Sequence, residues 1–310
     1  MRAMDTGTQV AAARDSALVV AGAFATLVIT GDDRLTWLNG LVTCDLAKKA
    51  PGDAVYGLVV ARNGRVLADV LVFIDEARLI LAVPSAAAET LRAHFEHYLV
   101  MEDAQVDPGS ATFETWVVHG PRSFELLAKA RSVGGIGASL DRTGLGGVIV
   151  FADADHAAEV RRELGRAAAE VGGVVGDAAG WRALRLERNV AEFGEDFDDK
   201  TYPQEAGLEK AAVSFDKGCY LGQEVVCMLE MRGHVKRKLA PLVLEAAGVP
   251  LRGTGVTDLA GAVVGEVTSA ALSPTLGRVI ALAMLKRAQT EPASVVLVDG
   301  VRAEVVDRPA

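Results

Sequence analysis

Residues 217–224, KGCYLGQE, set a cysteine between a glycine and a tyrosine, with a lysine two positions before it and a Gln-Glu pair after it. Leu221, Val225, Met228 and Leu229 recur at helical spacing, with Gly222 as the expected start and Gly233 as the stop. Cys219 then stands just ahead of a helix N-terminus, where exposed N–H groups and the macrodipole favour a thiolate. Lys217 would add a nearby positive charge, and Gly218 would permit a tight turn or a close ligand approach. Spacing alone leaves two roles open, a functional thiol or a small buried residue, the commonest fate of a free cysteine.

Other chemistries find less support. Cys44, Cys219 and Cys227 form no C-x-x-C pair, so no zinc or iron–sulfur site of the chain's own is expected. His94 and His97 share a helix face, but HFEHY is not H-E-x-x-H and reads as a solvated face. The acidic run EFGEDFDD (192–199) lacks the calcium-loop register and reads as a solvated or domain-bridging loop. GGIGAS near residue 134 is no phosphate loop, and there is no G-x-S-x-G elbow, which removes hydride transfer, kinase and serine-hydrolase chemistry. Two carboxylates stand out. Asp69 interrupts the apolar stretch VLADVLVF, and Glu187 takes a comparable place in ALRLERN, read here as another strand. A carboxylate there is costly unless it is paired, faces a ligand cavity or lies on the sheet surface.

These groups need a scaffold, and the pattern supplies one in pieces. Residues 17–31 are rich in β-formers, interrupted by Gly22. Residues 31–46 read as a short helix and a loop, and 55–83 as three strands joined at Asn63-Gly64 and Asp75-Glu76. A helix capped by Ser85 follows, with Ala88, Leu91, Phe95, Tyr98 and Leu99 on its apolar face. From Phe113 the order is strand, a helix opened by Pro121, a strand at 146–152, and an amphipathic helix burying Val160, Leu164, Ala168 and Val171. That alternation predicts a ferredoxin-like unit. After Lys238, short strands punctuated by Gly and Pro predict a small antiparallel barrel or sandwich.

The expected division is 1–112, 113–180, a motif segment at 181–236 that packs back on the first unit, and a β-barrel at 237–310. A chain of 310 residues, half apolar and 24% charged, suits a globular protein of two or three domains. Net charge of −9 argues against a nucleic-acid surface, although Arg232–Lys238 is locally basic. Three scattered cysteines, no apolar leader and no long apolar run predict a cytoplasmic protein with free thiols and no membrane partner.

The octapeptide resembles the K-G-C-Y-x-G-Q-E signature of the YgfZ family of folate-binding proteins, relatives of the glycine cleavage T-protein aminomethyltransferase. GDDRLTWLNGLVTCDL, NGRVLADVLVF, LRLERNVAEFGEDFDDKTYPQEAGL and GEVTSAALSPTLGRVIALAML resemble further segments shared by that group. The resemblance implies an α+β, three-domain aminomethyltransferase-like ring with ferredoxin-like units and a C-terminal β-barrel. It implies tetrahydrofolate as cofactor, bound by Glu187, Asp69, Tyr220, Gln223 and Arg232, with Lys236 and Arg237 also placed for its acidic tail. Cys219 would be the functional thiol, with Lys217 and Asp69 beside it in catalysis, and no metal. The function implied is folate-dependent support of iron–sulfur cluster assembly or repair, with assembly or client proteins as partners. The alternative is an aminomethyl- or demethylating transferase of the T-protein type, and turnover stays open. Departures are Ala68 for the first acid of the T-protein's D-D pair, Trp37 and Asn39 in the early segment, and Asn189, Val190 and Ala191 after Glu187.

Overall fold

The apolar strand around Asp69 is apolar because both of its faces are covered, and that sandwiching organises the protein. The computed structural model describes residues 4–108 and 113–310. The chain runs α1 (Thr6–Asp15), β1 (Leu18–Ala21), β2 (Phe24–Thr30), α2 (Arg34–Asn39), β3 (Ala54–Val60), β4 (Val66–Ile74), β5 (Leu79–Pro84), α3 (Ala88–His97) and β6 (Gln105–Pro108). It continues through β7 (Phe113–His119), α4 (Ser123–Arg131), β8 (Ile136–Ser139), β9 (Gly147–Asp153), α5 (Ala157–Glu170), β10 (Val174–Val175) and α6 (Ala178–Glu187). The short α7 (Glu209–Ala212) and α8 (Gln223–Met231) lead to β11 (Arg237–Leu244), β12 (Gly255–Thr257), β13 (Val263–Ser273), β14 (Arg278–Lys286), β15 (Val295–Val298) and β16 (Val301–Val305).

Three sheets result. The first has the order β3-β4-β5-β2-β6, the second β10-β1-β7-β9-β8, and the third closes as a barrel, β11-β14-β13-β12-β15-β16. One face of the first sheet buries Val59, Ala68, Val70 and Val72 with Leu38, Leu91 and Phe95 of α2 and α3. Its other face, with Leu58, Leu71 and Phe73, meets Ile149 and Phe151 of the second sheet and Ile280 and Leu282 of the barrel in one shared core. Helices α4 and α5 cover the remaining face of the second sheet. The predicted barrel is present, and the strand–helix alternation after Phe113 forms the expected helix-covered sheet.

The stretch 17–31 divides between two sheets. Leu18–Ala21 pairs with β7 and β10, whereas Phe24–Thr30 pairs with β5 and β6. The crossover falls at Gly22, where a Cβ would lie 2.5 Å from Thr115 Oγ1, so only glycine lets the chain pass. Helix α1 and strand β1 therefore pack with the second sheet and α6 rather than with the unit that follows them. The expected boundary at 112 lies outside the described residues. Among the described residues, no helix is long and apolar enough to cross a membrane.

Candidate functional site

A cavity of about 530 Å³ opens between the β1–β2 crossover, β4, β7 and α6. Asp69 projects into it from β4, one residue past Ala68, which faces the opposite, wholly apolar layer. The pleat thus sends the two neighbours to opposite faces, Ala68 to the apolar layer under α2 and α3 and Asp69 to the cavity. Tyr56 donates its hydroxyl to Asp69 Oδ2 at 3.1 Å, and Arg142 Nη2 stands 3.8 Å from the same oxygen. The Arg142 guanidinium lies over the Tyr56 ring at 4.4 Å and donates to Ala191 O at 3.0 Å. Burial pushes the Asp69 carboxyl above its usual range, and the pull of Arg142 and Tyr56 only partly offsets this.

His119 ends β7 on the opposite wall and stacks on Trp181 of α6, with ring centroids 4.5 Å apart and planes 5° off parallel. It is 2% exposed, and its Nδ1 has no hydrogen-bond partner. Burial and the Arg142 charge hold its pKa down to about 3, so the ring is neutral at pH 7. An unpaired neutral imidazole edge beside a buried carboxyl and an indole face offers polar recognition within an apolar wall, the composition of a small-molecule site.

The acidic run 192–199 bridges. Glu192, Phe193 and Glu195 line the cavity. Buried Arg185 holds the run from behind, at 3.0 Å from Glu192 and 2.7 Å from Asp196, and also pairs with Glu195. Asp196 in turn accepts from Thr268 Oγ1 at 2.7 Å and Ser269 Oγ at 2.5 Å on the barrel. Of the two sequence readings, the bridging loop is the one observed.

Glu187 sits elsewhere. The segment ALRLERN is helical, not a strand: Asp177 caps α6 by accepting from Ala179 and Gly180 N–H groups, and the helix ends at Glu187. Asn189 turns the chain with φ 55°, the left-handed position after a helix where a glycine or asparagine serves. The Glu187 carboxylate accepts from Arg14 Nη2 (2.8 Å), Ser273 Oγ (2.5 Å), Thr275 N (3.1 Å) and Thr275 Oγ1 (2.8 Å). With that many donors it is saturated, and it is not among the residues lining the cavity. Burial raises its pKa, but the bonds from Ser273, Arg14 and Thr275 outweigh burial and hold it below the usual range. It ties α1 and α6 to the barrel.

The KGCYLGQE stretch is also apart from the cavity. Cys219 is exposed, four residues before α8 begins, and does not line the cavity. The Lys217 ammonium donates to three carbonyls, Asn39 O (2.6 Å), Val42 O (2.9 Å) and Cys44 O (2.7 Å), and lies 5.3 Å from the centre of the Tyr220 ring. Burial draws its pKa down to about 8. Tyr220 is buried in the shared core, its backbone N–H meeting Gln223 Oε1 at 3.4 Å, and Arg232 is exposed at the end of α8. Cys44 is buried, and burial pushes its thiol up to about 12. Among the described residues no group of three His, Cys, Asp or Glu side chains could hold a metal ion.

Of the predicted site residues, the cavity gathers Asp69 alone. Tyr56, His119, Arg142 and Trp181 were not singled out. A lone histidine closing the apolar strand FETWVVH is the sequence signal that could have added His119 to Asp69.

Two family domains match the chain: the GCVT N-terminal domain over residues 6–139 and the glycine cleavage T-protein C-terminal barrel domain over 237–310. The chain is GcvT-related. An aminomethyltransferase of Halothermothrix orenii is 27% identical over 284 residues, covering 86% of this chain and 79% of that protein. One from Streptomyces coelicolor is 28% identical over 289 residues, covering 86% and 77%. The crystal structure of the glycine cleavage system aminomethyltransferase T from Bartonella henselae superposes with a TM-score of 0.84 at 18% identity, over 98% of this GcvT-related chain and 89% of that one. The shared fold is thus that of the aminomethyltransferase, barrel included.

Proposed function

We propose that the cavity around Asp69 binds tetrahydrofolate and that the protein transfers a one-carbon group to or from it, as an aminomethyl-type transferase. The observation that carries this reading is the buried, partly paired Asp69 carboxyl facing a neutral, unpaired His119 across a cavity of about 530 Å³. That volume suits a ligand of folate size. The naming of the relatives as aminomethyltransferases supports the same reaction class. Asp69, with its pKa raised, would hold or pass a proton at the reacting amine, and His119 and Trp181 would orient a flat heterocycle. In this reading Glu187, with four donors and no place on the cavity wall, holds the scaffold together.

Calorimetric titration with tetrahydrofolate tests this. Wild type should bind in the micromolar range, and Asp69→Ala and His119→Ala should each lose at least about tenfold. Methylene-tetrahydrofolate should form when an aminomethyl donor is supplied. Absence of folate binding in wild type refutes both steps, and binding without product refutes only the transfer.

A second reading, a folate-linked accessory in iron–sulfur cluster assembly or repair, is supported by one observation: the exposed thiol of Cys219 within KGCYLGQE. Its test is a Cys219→Ala variant that binds folate normally. Failure of that variant to restore iron–sulfur enzyme activity in a deletion strain supports the accessory role, and full restoration ends it.

A further inference from the structure

A second cavity, of about 520 Å³, shares no lining residue with the first. It lies between the start of β4, the loop 198–205, the last turn of α8 and the segment 234–237. Its wall carries Arg65, Lys200, His234, Lys236 and Arg237 against two carboxylates, Asp198 and Glu205. Both carboxylates are already engaged. Asp198 Oδ1 accepts from Lys200 N at 3.0 Å and Thr201 Oγ1 at 2.9 Å, which closes the local turn. Glu205 accepts Arg237 Nε at 3.0 Å on one oxygen and Tyr202 N at 3.0 Å on the other.

The lysines remain uncompensated. Among the described residues the lysine ion pairs are Lys48–Asp45 and Lys238–Glu209, so neither Lys200 nor Lys236 is paired. Arg65 is held in place by donating to Lys200 O at 2.9 Å and by lying 5.3 Å over the Tyr202 ring. Anchored arginines and unpaired lysines thus converge on one concave space in a protein whose net charge is −9. Such an acidic molecule repels an extended polyanion, whereas a cavity focuses the local positive field on a small one.

We propose that this second cavity is a binding site for a compact anion bearing two or more negative charges, carried either on phosphate or on clustered carboxylates. Arg65 and Arg237 would present planar N–H donors to its oxygens, and Lys200 and Lys236 would supply point charges from the rim.

The test is calorimetric titration of the intact protein with pyrophosphate, with citrate and with a short DNA duplex, at low ionic strength and again at about 0.3 M salt. At least one of the two small anions should bind, weaken with salt, and lose about tenfold or more in affinity in the double variant Lys200→Met/Lys236→Met. Because both lysines are exposed, the variant should melt with wild type, and a matched melting curve establishes that it is folded. Binding of pyrophosphate alone assigns the phosphate class, and binding of citrate alone the carboxylate class. The proposal is overturned if neither small anion binds, if the double variant binds as well as wild type, or if DNA binds more tightly than both.

Discussion

Replacing Glu187 with alanine separates a binding role from a structural one. In the folded protein its side chain is fully buried and receives four hydrogen bonds, one from a guanidinium. Removing one partner of a buried ion pair costs about 3–5 kcal/mol. Arg14 keeps 26% of its side chain exposed and can recover water, which places the cost near the lower end, about 3 kcal/mol. For a chain of this length, at about 2 °C per kcal/mol, the melting temperature should fall by about 6 °C at pH 7. The pH dependence has a definite sign. Because the folded pKa lies below the ordinary value of 4.5, the stabilisation is present above that value and is lost as pH falls through the folded pKa. Wild type and Glu187→Ala should therefore converge in acid. Scanning calorimetry at pH 7 and across the acid range measures the difference, and tetrahydrofolate affinity, taken well below melting, should change by less than about twofold. An unchanged melting temperature with a tenfold loss of folate affinity would refute the structural assignment.

Asp69→Asn should do the reverse. Its folded pKa is raised, so the charged form costs stability that grows as pH rises above the ordinary aspartate range; the variant should melt at or above wild type at pH 8 while losing folate binding. A melting temperature several degrees below wild type there would contradict this. Under native conditions an alkylating agent followed by mass spectrometry should label exposed Cys219 first and buried Cys44 only after unfolding; equal rates would sink the burial argument. Lys217→Met leaves three carbonyls without their shared donor and should cost about 2–4 kcal/mol by chemical denaturation. It should leave the pH profile of Cys219 alkylation in place, and a profile displaced by a unit or more would restore Lys217 as the thiol's activator.

What was readable in the sequence was local. Asn63-Gly64 announced the β3–β4 turn because a left-handed residue is needed there, and Gly64 has φ 75°. The amphipathic period of α5 and the α8 boundaries between Gly222 and Gly233 also followed from spacing, as did the barrel from its short punctuated strands. The split at Gly22 was hidden because β1 and β2 are both apolar, and only partners distant in the chain decide which sheet each joins. Glu187 misled for a related reason. Alternating Leu-Arg-Leu-Glu mimics a strand, while the cap at Asp177 lies ten residues upstream. The cavity walls come from residues 20 to 195, so no window of sequence contains the site.

The distance between KGCYLGQE and the cavity bears on how the two readings of function relate. No residue of 217–224 lines the cavity, yet the β3–β4 hairpin touches both. Tyr56 and Asp69 lie on its two strands, and its turn packs against α8: a Cβ at Gly64 would stand 2.9 Å from Val225, and one at Gly222 would stand 2.4 Å from Ala61 O. Gly222 also has φ 79°, so both its conformation and the close approach require glycine. The motif's glycine thus docks the Cys219 segment onto the turn of the hairpin whose strands carry Tyr56 and Asp69. A packed hairpin passes on displacement rather than charge, and tightly packed interiors transmit strain well. The two proposed roles therefore need no shared site: one hairpin lines the cavity with Asp69 and packs its turn against the helix that follows Cys219.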